Sequence, residues 1–118
     1  MVGSYCFTFI SDDNSVYAAR DPKGFRPMVL GHKESDDTYI VTSESAAVTA
    51  VGATLQRDVV PGELIKLSKT GLETEKFSTD TSRAHCSFEF TYFAHPSSKM
   101  EGRNIYVSRK RIGEFMAR

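Results

Sequence analysis

The sequence predicts an α+β domain, mainly antiparallel β with a C-terminal helix. Short runs of β-branched and aromatic residues, punctuated by tight-turn residues, recur from Tyr5 to Phe77. After Asn104 the apolar residues change to helical spacing. At 118 residues the chain can hold one domain with its own core, or be a piece of something larger. Fifteen Lys plus Arg balance fifteen Asp plus Glu, so no net field draws it to nucleic acid or an anionic membrane. The first ten residues lack a basic leader, a long apolar centre and a small-residue cleavage site, and no run reaches membrane-spanning length. A cytoplasmic protein is the expectation.

Tyr5 to Ile10 reads as a strand with apolar groups on both faces, as inside a layered structure. Ser11-Asp12-Asp13-Asn14 then turns it into an antiparallel partner, Val16 to Ala19. Asp21-Pro22-Lys23-Gly24 has Asp at i, Pro at i+1 and Gly at i+3, the residues of a type I turn, and Met28-Val29-Leu30 reads as the strand beyond it. The reversal is expected to be tight, with Arg20, Asp21 and Arg26 forming a local ion-pair lock. His32 to Asp37 reads as a surface loop and Thr38 to Val41 as a strand.

Thr42 or Ser43 can cap a helix whose first turn holds Glu44. Ala46, Ala47, Ala50 and Val51 form its small-residue face toward a sheet, and Gly52 ends it. Val60-Pro61-Gly62-Glu63 matches a type II turn, joining Thr54–Val59 to Leu64–Ser68, and Thr70-Gly71 reverses into Leu72–Phe77. These strands are expected to form a β-meander. Residues 78–83 read as a polar surface connection and the place of a composition boundary. The alternation in Ser87 to Phe93 favours a strand, although Phe88 and Tyr92 also suit helical i,i+4 contact. Ser97 to Asn104 reads as a loop, and Tyr106 to Ala117 as a helix with an apolar patch at Ile112, Phe115 and Met116. Arg109, Lys110 and Arg111 project elsewhere on that helix.

Cys6 and Cys86 lie far apart with no C-x-x-C spacing, so neither a zinc site nor a disulfide framework is read, and both are expected to be reduced thiols. His85 and Cys86, as neighbours, point to different sides of a strand or helix and do not make a Cys/His pair.

Several segments, in order, resemble the amidophosphoribosyltransferase family. Ala19 to Gly31 resembles "A-R-D-x-x-G-x-R-P-L-x-x-G", Gly3-Ser4-Tyr5-Cys6 resembles "G-A/S-Y-S", and Thr42-Ser43-Glu44-Ser45 resembles "A-S-E-S". Arg57 to Glu63 resembles "R-D-V-x-P-G-E", Cys86 to Ala94 resembles "C-x-F-E-Y-V-Y-F-A", and Ile105 to Gly113 resembles "V-Y-x-x-R-x-x-M-G". One departure is His95-Pro96-Ser97-Ser98, where the family has "R-P-D-S".

The resemblance implies a partial N-terminal-nucleophile-hydrolase sandwich of the αββα kind. Residues 1–83 would be the second part of a class II glutaminase domain, and 84–118 a helical junction toward an absent phosphoribosyltransferase domain. It implies a short helix over Cys86 to Ala94, against the strand read from alternation. The family moves glutamine nitrogen onto phosphoribosyl pyrophosphate in purine synthesis, using an N-terminal Cys whose own α-amine is the base. Here Val2 follows Met1, so no catalytic residue is assigned to this chain and inactivity on its own is expected. Arg20, Asp21, Gly24, Arg26, Pro27 and Glu44 are motif residues with structural roles. Tyr106 matches a residue lining the ammonia path, and Cys86 an iron-sulfur ligand position in some members, although the other thiolates of a cluster are missing.

By the same resemblance no cofactor is expected in this chain, whereas the full enzyme uses Mg with phosphoribosyl pyrophosphate. The expected partners are an N-terminal glutaminase half, a phosphoribosyltransferase domain and further copies of the chain, with no nucleic acid and no membrane. A non-catalytic binding or structural module and a stand-alone thiol hydrolase are the alternatives.

Overall fold

Two sheets face one another, and the side chains that alternate inward from each make the core. A computed structural model describes residues 1–80 and 82–118; Thr81, within the connection read over 78–83, lies outside the described residues. The first sheet has the order β1-β2-β6-β7, from Cys6–Ile10, Val16–Arg20, Glu63–Ser68 and Gly71–Lys76. The second has the order β4-β3-β5, from Thr38–Thr42, Val29–Lys33 and Thr54–Asp58. All their pairings are antiparallel. Ala18 and Ile65 from the first sheet meet Leu30 from the second, with Met28 and Val59 closing the same cluster. Each fully buried Ile or Leu in such a core contributes about 1.5–3 kcal/mol.

The two turns read from sequence form as expected. Gly24 N donates to Asp21 O at 3.0 Å, and Glu63 N to Val60 O at 3.0 Å with Gly62 at φ 77°. What they connect differs from expectation. β2 and β3 belong to different sheets, as do β5 and β6, so the expected meander is reduced to the β6–β7 hairpin. A four-residue turn has the same local chemistry whether the chain folds back on its neighbour or crosses to the opposing layer. Sequence pattern alone does not separate the two.

Helix α1, Ser45–Ala50, lies on the outer side of the second sheet, giving a β–β–α stack. Its inward side chains are Ser45 and Val48, while Ala47, Ala50 and Val51 face solvent, which reverses the expected small-residue face. The reason lies in the sheet. A Cβ on Gly31 would sit 2.4 Å from Val48 Cγ1, so the missing side chain is the hollow that receives Val48. Glu44 is the N-cap rather than a first-turn residue, and neither Thr42 nor Ser43 caps with its side chain. Thr42 Oγ1 instead donates to Glu44 O at 2.8 Å.

The chain beyond β7 folds back on both sheets. Glu89–Phe93 forms a wide π-helical turn, with Ala94 N donating to Glu89 O, so the helix implied by resemblance holds and the strand read from alternation does not. Alternation failed because Phe88, Tyr92 and Phe93 are all largely exposed, so no sheet face selects among them. The segment read as a loop contains a hairpin of β8, Lys99–Met100, and β9, Arg103–Asn104, turned by Glu101 and Gly102 at φ 49° and 73°. His32 and Lys33, read as loop, extend β3.

Helix α2, Ile105–Met116, is N-capped by Asn104 Oδ1, which accepts from Val107 N at 3.0 Å. It is anchored by fully buried Ile105, while Ile112, Phe115 and Met116 stay exposed. Arg109 corrects the expectation that it projects freely: its Nε and Nη2 donate to Phe90 O and Ala94 O at 3.0 and 2.7 Å. No helix among the described residues is long and apolar enough to cross a membrane.

Replacing Gly31 by Ala should lower stability by about 1–3 kcal/mol, the usual cost of forcing extra volume into a packed contact. Val48→Ala in the same chain should recover part of that loss. Urea unfolding of the two single variants and the double variant measures both.

Candidate functional site at the motif junction

The segments singled out in the sequence converge on one junction, where the 20–27 turn, the N-terminus of α1, the β5–β6 turn and the folded-back tail meet. Arg20 stands at its centre, 1% exposed. Its Nε donates to Arg26 O at 2.8 Å, Nη1 to Val59 O at 2.6 Å and Nη2 to Gly24 O at 3.2 Å. Glu101 Oε1 lies 2.8 Å from Nη2 as an ion pair without hydrogen-bond alignment. Asp21, equally buried, accepts from Lys23 N and Phe25 N, each at 3.0 Å.

The expected lock among Arg20, Asp21 and Arg26 is therefore replaced by another arrangement. Asp21 holds backbone, Arg20 pairs with Glu101 from the tail, and Arg26 pairs with Glu89. A Cβ at Gly24 would lie 2.5 Å from Pro61 Cγ and 3.3 Å from Arg20 Cζ, and its φ is 60°, so both space and conformation call for glycine. Pro27 is buried beside the core residue Met28.

The "R-D-V-x-P-G-E" spacing has a direct cause: the Arg57 guanidinium forks onto Glu63 at 2.8 and 2.6 Å, and Glu63 Oε2 also accepts from Val60 N. That hydrogen-bonded carboxylate holds the Arg57 pKa above its ordinary value. Glu44 works across a longer gap. Its Oε2 accepts from His95 N at 2.7 Å and Ser98 Oγ at 2.9 Å, while Ser98 Oγ accepts from Ala46 N and Ser45 Oγ from Lys99 N. In "H-P-S-S", Ser98 keeps the family residue and carries a tertiary contact. Among the described residues, the side chains of the two replaced residues, His95 and Ser97, bond only to each other. The departure from the family pattern thus leaves this lock intact.

A cavity of about 840 Å³ opens at the junction, lined among others by Cys6, Phe25, Arg26, Glu44, Glu89 and Phe93. Its charge is largely internal: Glu89 neutralises Arg26, raising the Arg26 pKa through that hydrogen bond, and the Arg26 guanidinium also lies 5.1 Å over the Phe93 ring. Burial pushes the Cys6 thiol up to about 11, so at neutral pH the cavity holds a thiol and no thiolate nucleophile. Cys86 is buried, with its N–H donating to Phe25 O. His85 turns Nδ1 to Gly24 O and Nε2 toward Glu101, leaving Cys86 without an imidazole base. No group of three His, Cys, Asp or Glu gathers among the described residues. Tyr106, in the first turn of α2, is 63% exposed and lies outside this cavity.

Sequence reasoning named most of the junction but missed Glu89 and Glu101 as the counter-ions. The acid of "C-x-F-E" was a visible signal for Glu89. Glu101, in a Glu-Gly turn of what read as a loop, offered none.

Two facing antiparallel sheets with a helix layer on one of them make this a partial N-terminal-nucleophile-hydrolase sandwich. No protein-family model matches the chain. It is 41% identical over 116 residues to amidophosphoribosyltransferase of Mycobacterium tuberculosis, covering 98% of the chain and 21% of the relative. It is 41% identical over 118 residues to that of Archaeoglobus fulgidus, covering 25% of it. The solved structure of glutamine phosphoribosylpyrophosphate amidotransferase from B. subtilis, complexed with ADP and GMP, superposes with a TM-score of 0.91 at 37% identity, over 98% of this chain and 25% of that one. The chain is homologous throughout its length to a segment of amidophosphoribosyltransferase, and it spans about a fifth to a quarter of the relatives it matches.

Glu101→Gln should cost about 3 kcal/mol, because it strips the counter-ion from a buried guanidinium. Glu89→Gln should cost far less, because Arg26 is 45% exposed and water replaces the partner. Denaturant midpoints rank the two. Because the Cys6 pKa is raised on folding from 9.0 to about 11, its contribution to stability is complete below pH 9 and lost as pH rises through about 11. Thermal unfolding of wild type and Cys6→Ala across that window should converge at the alkaline end.

Proposed function

We propose that this chain supplies the second part of a class II glutaminase unit in amidophosphoribosyltransferase chemistry, the transfer of glutamine amide nitrogen to phosphoribosyl pyrophosphate in purine biosynthesis. The observation that carries the reading is the use made of the shared motif residues. Arg20, Asp21, Arg57, Glu63 and Glu44 turn polar atoms to backbone groups or to other side chains of this chain. Such residues build a scaffold and leave the reacting atoms to another segment.

In this reading residues 1–83 complete the glutaminase sandwich and 84–118 lead toward a phosphoribosyltransferase domain. The nucleophilic Cys with its free α-amine comes from a companion polypeptide segment, and the setting is the cytoplasm. Exposed Tyr106 on α2 would face the path between the two reaction centres. Mg would act with phosphoribosyl pyrophosphate on the transferase side, outside this chain. The stand-alone thiol hydrolase is disfavoured by the protonated Cys6 and by a Cys86 without a base.

The test is an assay of the purified chain for glutamate release from glutamine and for phosphoribosylamine formation. Neither product is expected from the chain alone. Glutamate release should appear when a companion segment bearing the N-terminal Cys is added and assembles with it. Turnover by the chain alone that vanishes on thiol alkylation would replace this reading with the thiol hydrolase.

A further inference from the structure

Among the described residues, two apolar clusters share no member. Ala18, Met28, Leu30, Val59 and Ile65, with Cys6, Val41, Leu67 and Leu72 packed around them, all come from residues 1–83. Ala94, Met100 and Ile105, with Phe90 beside them, all come from the tail. Neither large sheet takes a strand from the tail, whose β8 and β9 pair with each other. The tail is also bonded to itself: Arg109 holds Phe90 O and Ala94 O, and Ile105 N donates to Ser98 O at 3.0 Å. A segment with its own cluster and its own bonds opens as a unit when its docking is weaker than its cohesion.

The docking is polar. Ala84 N and Cys86 N donate to Lys23 O and Phe25 O, each at 3.0 Å. Lys99 N donates to Ser45 Oγ at 2.7 Å, and His95 N and Ser98 Oγ share Glu44 Oε2. Water replaces bonds of this kind at a small net loss. The tie to the buried Arg20 is the Glu101 carboxylate, which Arg83 and His85 also approach, at 3.2 and 3.7 Å. Glu101 holds that place at φ 49°, a left-handed conformation unfavourable for a residue with a long side chain, and its N–H donates to Asp58 Oδ1 at 3.2 Å. Opening relieves that conformation. It also leaves Arg20 satisfied, because its hydrogen bonds go to Gly24, Arg26 and Val59 of the sandwich and water takes the place of the carboxylate.

We infer that residues 84–118 form a strap that opens from the sandwich as one unit while both sheets stay folded, with Glu101 as its latch. Opening uncovers Arg20 and takes Glu89 and Phe93 out of the wall of the cavity at the motif junction, so the strap gates that cavity. The strap is built from contacts within this chain and is independent of the proposed activity.

Native-state amide hydrogen exchange over a denaturant series tests this, with two sets of amides followed. The docking set is Ala84, Cys86, His95 and Lys99, and the sheet set is β2 and β6, the inner strands of the first sheet. In the wild type the docking set should open together and more often than the sheet set. Ile65→Val, within the sandwich cluster, should speed the sheet set severalfold and leave the docking set at wild-type rates, since the sandwich is folded before and after the strap opens. Glu101→Gln should speed both sets by the same factor, tenfold or more, because it destabilises the docked state from which both openings start. A docking set accelerated by Ile65→Val would mean that the strap opens only with the whole molecule. One unmoved by Glu101→Gln would remove the latch, and docking amides that respond to denaturant separately would remove the single unit. Each of these results overturns the inference, and none bears on the glutaminase assay.

Discussion

One buried guanidinium organises the molecule. Arg20 ends β2 inside the protein, where a charge is tolerable only if its donors are all engaged. Three of its contacts are carbonyls from separate places, Gly24 and Arg26 in the turn and Val59 at the end of β5, and the fourth is a carboxylate from the tail. The guanidinium thereby ties the first sheet to both crossings into the second sheet and to the hairpin that folds back over them. Gly62 N, bonded to the carbonyls of Arg20 and Asp21, closes the same knot from the β6 side.

Around that knot the packing is economical. The core between the sheets is small, and much of the order comes from locks at its rim: the Arg57–Glu63 fork, the Glu44–Ser98 bond and the Val48 side chain seated over Gly31. The fork staples the turn between β5 and β6, and the other two join segments far apart in the chain. A set of locks of this kind fixes the rim of the sandwich more firmly than its small core alone would.

The tail shows how such a part tolerates substitution. His95 and Ser97 depart from the family residues, yet the tertiary bonds at this place come from the His95 backbone and from Ser98. α2 leaves the body after Ile105, held by Arg109 on the carbonyls of the π-helical turn. Its aromatic and apolar residues beyond that point face outward.

Most of the local structure was legible in the sequence because its causes are local. Proline and glycine at fixed places in Asp21–Gly24 and Val60–Glu63 dictate turns, the β-branched and aromatic runs dictate strands, and Gly52 ends a helix wherever that helix lies. The motif residues were likewise visible, and with them the family and its sandwich. What each element packs against was decided only by the tertiary structure. A turn does not record whether it reverses within a sheet or crosses between two, so the meander was read where a crossing stands. The inward face of α1 was set by a hollow at Gly31, fourteen residues before Ser45. Glu101 became the partner of Arg20 through a hairpin that has no periodic signature. Contacts across such separations depend on where whole layers come to rest, and no window of neighbouring residues contains that information.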